Sequence, residues 1–135
     1  MILGIGSDLV DIGRIDFLLN RFHKTFEERV FTSEEQAYCK QQRDPSATFA
    51  KRFAAKEACA KALGLGFQEG IRWIDIEVLN TPHGKPFLTL KGKASIRLQT
   101  LMKNEAPLHA KPCLELSLCD EGQLAQAFVV ISYKI

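Results

Sequence analysis

Glu57 and Lys61 stand four residues apart in the run Lys56-Glu57-Ala58-Cys59-Ala60-Lys61, a separation that puts them on one face of a helix. Traced toward the N-terminus, the same stripe carries Phe53 and then Phe49, so a charged pair continues an aromatic row. Taken alone, such a pair reads as a solvated ion pair worth roughly 0.3–0.5 kcal/mol. A chemical role needs a second carboxylate, and Asp8, at the end of a glycine-bearing segment, is the candidate. One or two carboxylates, completed by substrate phosphates and waters, are the usual holders of a hard cation such as magnesium. Asp8 by itself would equally serve to cap the first helix or turn. Spacing alone does not bring it to Glu57.

The elements that would have to position these residues can be read in order. Ile2 to Val10, with Gly4 and Gly6, suits a first strand that lets another backbone or a ligand come close. From Ile12, the residues Ile12, Ile15, Leu19, Phe22 and Phe26 recur at steps of three and four, which predicts an amphipathic helix with one core face. Thr32 and Glu35 form a capping-box pattern for a second helix to about Gln41. Asp44-Pro45 starts a third, alanine-rich helix that Gly64 stops after Leu63. After Gly64, Gly66 and Gly70, Ile74 to Leu79 and Phe87 to Leu90 read as a hairpin around Thr81-Pro82-His83-Gly84-Lys85-Pro86. A helix over Lys91 to Met102 and two closing strands, Cys113 to Cys119 and Ala125 to Tyr133, complete an α+β pattern. The expected architecture is an antiparallel sheet packed against a long helix.

Composition bounds the reading. With 135 residues, 46% apolar and 25% charged, the chain is expected to be a single domain over residues 1–135. The 18 Lys and Arg against 16 Asp and Glu leave +2, no sign of a generic nucleic-acid or anionic-membrane binder. No apolar run approaches the roughly 20 residues of a membrane-spanning helix. Cys39, Cys59, Cys113 and Cys119 fit no CxxC or zinc spacing, and no signal-peptide run precedes them, so reduced thiols in a cytoplasm are expected. A chain of this size buries about two-thirds of its unfolded surface, enough for one core and not for two substrate-binding domains. Two large substrates would therefore meet at a subunit interface.

The opening Ile5-Gly6-Ser7-Asp8-Leu9-Val10-Asp11-Ile12-Gly13-Arg14 and the helix Arg52-Phe53-Ala54-Ala55-Lys56-Glu57-Ala58-Cys59-Ala60-Lys61-Ala62-Leu63-Gly64 resemble the holo-acyl carrier protein synthases, a group of 4'-phosphopantetheinyl transferases. The resemblance continues through Asp75-Ile76-Glu77-Val78 and Gly84-Lys85-Pro86. It implies a phosphopantetheinyl transferase-like fold and transfer of phosphopantetheine from coenzyme A to a serine of apo acyl carrier protein, releasing 3',5'-ADP for fatty acid biosynthesis. It implies magnesium held by Asp8 and Glu57; Glu57, directly or through a metal-bound water, is then the expected base for the serine hydroxyl, and Lys61 the group neutralising phosphate charge. Arg52, Gly64, Gly84, Lys85, Pro86 and Ser117 are the residues it places against coenzyme A. Without the resemblance, Arg52 is a solvated helix residue, Gly64 a helix stop and Gly84-Lys85-Pro86 a plain hairpin turn. It further implies a homotrimer with sites between subunits.

A partner face follows from the first helix, where Arg14, Leu18 and Arg21 lie off the core stripe, an exposed leucine between two arginines. Such a face, extended by Lys24, suits an acidic carrier protein. One segment departs from the family's His-Val-Ser-x-Ser-His, reading Glu115-Leu116-Ser117-Leu118-Cys119-Asp120. A glutamate at the first histidine position would repel a nucleotide phosphate. That departure motivates a non-catalytic binding module as one alternative, and two carboxylates with a lysine motivate a metal-dependent pyrophosphate hydrolase as another. His23, His83 and His109 fit no metal or nucleophile pattern, and Cys59 reads as a small buried residue.

Overall fold

Ten residues of extended chain, β1 (Ile2–Asp11), run straight into α1 (Ile12–Val30), and α2 (Ser33–Lys40) and α3 (Pro45–Ala62) follow after short turns. A 3-10 turn at Trp73–Asp75 leads into β2 (Ile76–Asn80) and β3 (Pro86–Leu90), then α4 (Gly92–Glu105), β4 (Lys111–Glu121) and β5 (Leu124–Lys134). The computed structural model describes all 135 residues. The main sheet is antiparallel in the order β1-β5-β4, and β2 and β3 form a separate antiparallel hairpin. The α+β architecture with a long helix on an antiparallel sheet is thus observed, with the strands divided between two sheets.

α3 is the hub. Its start is set by Asp44, whose side chain accepts from Ala47 N at 3.2 Å, and by Pro45 at the first helical position. Its end is set by Gly64, whose φ of 88° only glycine adopts without strain. Between them most side chains are buried, because the sheet covers one side and α1, α2 and the hairpin cover much of the rest. Gly4 and Gly6 of β1 make the closest approach. A β-carbon on Gly6 would overlap the Ala58 carbonyl, and one on Gly4 the Ala62 carbonyl. Backbone against backbone, with alanines opposite glycines, draws the strand that carries Asp8 onto the helix that carries Glu57 and Lys61.

Two local readings change and a third holds. The predicted strand from Ile74 begins instead at Ile76, because Asp75 folds back to accept Arg72 N at 2.9 Å and closes a 3-10 turn. The core stripe of α1 breaks at His23, whose φ of 47° and ψ of −127° kink the helix. Ile12 and Ile15 are buried as expected, but Phe22, beside the kink, is 49% exposed. α2 opens on a complete capping box: Glu35 N donates to Thr32 Oγ1 and Thr32 N donates to Glu35 Oε1.

Candidate active site

The close approach of β1 and α3 brings Asp8 and Lys61 together. The Lys61 ammonium donates to Asp8 Oδ1 at 3.1 Å and to the Ser7 carbonyl at 3.0 Å. The expected four-residue pair between Glu57 and Lys61 does not form as an ion pair; the lysine turns to the strand instead. Glu57 nonetheless feels the group. Burial, and next the charge of Asp8, raise its carboxyl above the ordinary value, while Lys61 and Arg14 pull the other way. Two carboxylates and two cations therefore share one locus. No third His, Cys, Asp or Glu joins them, so a cation held there would complete its shell with water or substrate oxygens. This donor set fits a hard divalent cation, and the ammonium on Asp8 marks where positive charge is accommodated.

The other site residues gather elsewhere. Arg52 is not a solvated helix residue: it is 2% exposed, its guanidinium stacks 4.3 Å over the Tyr38 ring, and it donates to Asn80 Oδ1. Five helical residues turn through about 140° net, so Arg52 leaves α3 on a different side from Glu57. Its Nε is buried with no partner. Asn80 in turn donates to the Gly84 carbonyl at 3.0 Å, linking Arg52 to the Gly84-Lys85-Pro86 turn. Lys85 Nζ stands 4.0 Å from Glu115 Oε2, so the glutamate that replaces the expected histidine meets a cation. Ser117 projects from the same exposed face of β4 as Glu115, two positions on. Arg52, the turn and β4 form a second locus, separated from Asp8 by the width of the sheet, since β4 and β1 are its opposite edges. Gly64 ends α3 one turn beyond Lys61.

On α1, Arg14 and Arg21 are exposed, but Leu18 is half-buried against the core and is not the bare anchor expected. The exposed apolar residues of that helix are Phe17, at 61%, and Phe22. Arg14 also lies 5.9 Å over the Phe53 ring and acts on Glu57, so it belongs to the carboxylate locus as well.

Sequence reasoning passed over Lys56, the neighbour of Glu57. Its ammonium is completely buried and donates to Glu35 Oε1 at 2.7 Å, the Ile76 carbonyl at 2.5 Å and the Trp73 carbonyl at 3.2 Å. Glu35 Oε2 accepts Val78 N at 2.9 Å. One fully satisfied ion pair thus joins α2, α3 and the hairpin on the side of α3 opposite the sheet. The sequence carries a signal for this: Phe49, Phe53, Cys59 and Ala60 flank Lys56 on its own face of α3, while Lys51, Glu57 and Lys61 take the solvated side.

Residues 4–114 match the model of the 4'-phosphopantetheinyl transferase superfamily, and the chain belongs to that family. The holo-[acyl-carrier-protein] synthase of Azorhizobium caulinodans is 49% identical over 135 residues, 100% of this chain and 96% of that protein. Among solved structures, the synthase of Neisseria meningitidis superposes with a TM-score of 0.77 at 36% identity, covering 98% of this chain and 99% of its own. The Helicobacter pylori synthase in complex with coenzyme A gives 0.77 at 31%, covering 95% and 99%.

Proposed function

We propose that this protein is a holo-acyl carrier protein synthase, transferring 4'-phosphopantetheine from coenzyme A to a serine of apo acyl carrier protein and releasing 3',5'-ADP. The observation that carries the reading is the meeting of Asp8, Glu57 and Lys61 in a chain that is 49% identical over its full length to a synthase of that name. Asp8 and Glu57 would hold magnesium, which when bound neutralises diphosphate charge. Glu57 would take the proton from the attacking serine hydroxyl. Lys61 meets the charge that develops on the phosphate oxygens. Arg52, with its unpartnered Nε, and Gly84, Lys85, Pro86 and Ser117 form the nucleotide side, with Gly64 near the end of α3.

The separation of the two loci favours a site completed between copies. The outer face of the main sheet exposes Ile5, Leu9, Leu124 and Phe128, an apolar surface that a second copy would cover. A homotrimer with sites at its seams brings the nucleotide side of one subunit to the carboxylates of another. The exposed Phe17 and Phe22, flanked by Arg14, Arg21 and Lys24, would seat an acidic carrier protein. We read the protein as cytoplasmic, a reading that its free cysteines and this metabolic role support; no helix is long and apolar enough to cross a membrane.

The test is to incubate the protein with coenzyme A, magnesium and apo acyl carrier protein and to weigh the carrier by mass spectrometry. Gain of the phosphopantetheine mass is expected, and Glu57→Gln should abolish it. Complex formation without mass gain would mark a binding module. Release of 3',5'-ADP without carrier would mark a hydrolase. Arg14→Glu should weaken transfer to the carrier.

A further inference from the structure

We propose that the Lys61 ammonium is a resident counter-ion of Asp8, which a divalent cation must displace and which, once displaced, is free to meet an anionic substrate oxygen. This rests on the cation reading of Asp8 and Glu57 above and adds what the lysine does before either substrate arrives. The ammonium takes one carboxylate oxygen and one backbone carbonyl, of Asp8 and Ser7, at 3.1 and 3.0 Å, so it occupies oxygens that a hard cation would compete for. The lysine has bypassed Glu57, its neighbour one turn away on the same helix, to reach them.

Lys61 is also built to leave. Its side chain is 52% exposed while that of Asp8 is 17% exposed, so the ammonium can swing outward on its flexible stem and the carboxylate cannot follow it into water. With Asp8 and Glu57 ionised beside Lys61 and Arg14, the free locus is formally neutral. A divalent cation makes it +2 and repels the ammonium from Asp8. A diphosphate restores neutrality and gives the displaced ammonium a partner. Cation and diphosphate then favour each other's binding, because each relieves the charge the other would leave uncompensated.

The experiment measures Mn2+ binding by electron paramagnetic resonance to the coenzyme A-free protein and to Lys61→Met, Lys61→Gln, Lys103→Met and Asp8→Asn. Lys103 is an exposed residue of α4 outside both loci, and its substitution controls for loss of one positive charge. Lys61→Met and Lys61→Gln are expected to tighten Mn2+ binding about fivefold, equivalent to roughly 1 kcal/mol for the exchanged ion pair, and Lys103→Met to leave it unchanged. Binding that is unaltered or weaker in both Lys61 variants overturns the proposal, as does equal tightening in Lys103→Met. If wild type and Asp8→Asn bind Mn2+ alike, the cation reading fails and this inference falls with it. A shift confined to the Lys61 variants supports both.

Discussion

Glu57 and Lys56 are adjacent residues held in opposite ways. Burial and Asp8 raise the Glu57 carboxyl above its unfolded value, so the native state binds protons more tightly, and wild type loses stability as pH climbs from about 4.3 through the folded value. Glu57→Gln lacks that loss. Without divalent cations it should therefore melt higher than wild type at pH 7 while transferring nothing, and its advantage should shrink to nil below about pH 4. Melting curves at pH 4 and 7 check both. Lys56 instead has every proton satisfied, although burial lowers its basicity against the pull of Glu35. Lys56→Met leaves the buried Glu35 carboxylate without its counter-charge and should cost about 3–5 kcal/mol, little of it recovered in Lys56→Met with Glu35→Leu, because Thr32 N and Val78 N then lose their acceptor. Denaturant titration reads the difference.

The elements position these residues through two contacts of unlike kind. On the sheet side, Gly4 and Gly6 let β1 touch the α3 backbone; on the far side, Lys56 pins α3 to Glu35 and the hairpin. Gly6→Ala should force strand and helix apart, losing about 1–3 kcal/mol of stability and separating Asp8 from Glu57, so that transfer falls further than stability explains. The kink of α1 is a second device of the same scale. His23 sits where glycine is favoured, and His23→Gly should stabilise the fold by about 0.5–1 kcal/mol in thermal unfolding, leaving the Phe22 exposure in place. The capping box of α2 was legible because Thr32 and Glu35 bond within one turn. The kink was not, because nothing in the apolar spacing of Phe22 and Phe26 marks a positive φ between them.

For the whole molecule, the exposed apolar sheet face and the divided loci belong together. The larger cavities, of about 440 and 430 Å3, lie around Arg72 and Ile74 and include neither Asp8, Glu57 nor Lys61. The proposed trimer would complete a concave site around the carboxylates. If the proposed trimer forms through this face, Phe128→Glu, on its central strand, should give monomers in light scattering and abolish transfer, while the chain keeps its far-ultraviolet circular dichroism. A trimer that survives the substitution would show that the face serves another purpose.

Residue types and local spacing determined the order of elements, the caps of α2 and α3 and the long helix as hub, because each depends on interactions within a few residues or on a periodic apolar face, whereas they offered Asp8, Glu57 and Lys61 only as candidates. Only the tertiary structure decided which charges meet. Lys61 chose Asp8 over Glu57, Lys56 found Glu35 across 21 residues, Arg52 turned from solvent to Asn80, and Lys85 came to face Glu115. The reason is physical: a charged side chain pairs according to desolvation and distance in three dimensions, quantities set by how β1 and the hairpin close around α3, and neither is encoded in the spacing of the residues along the chain.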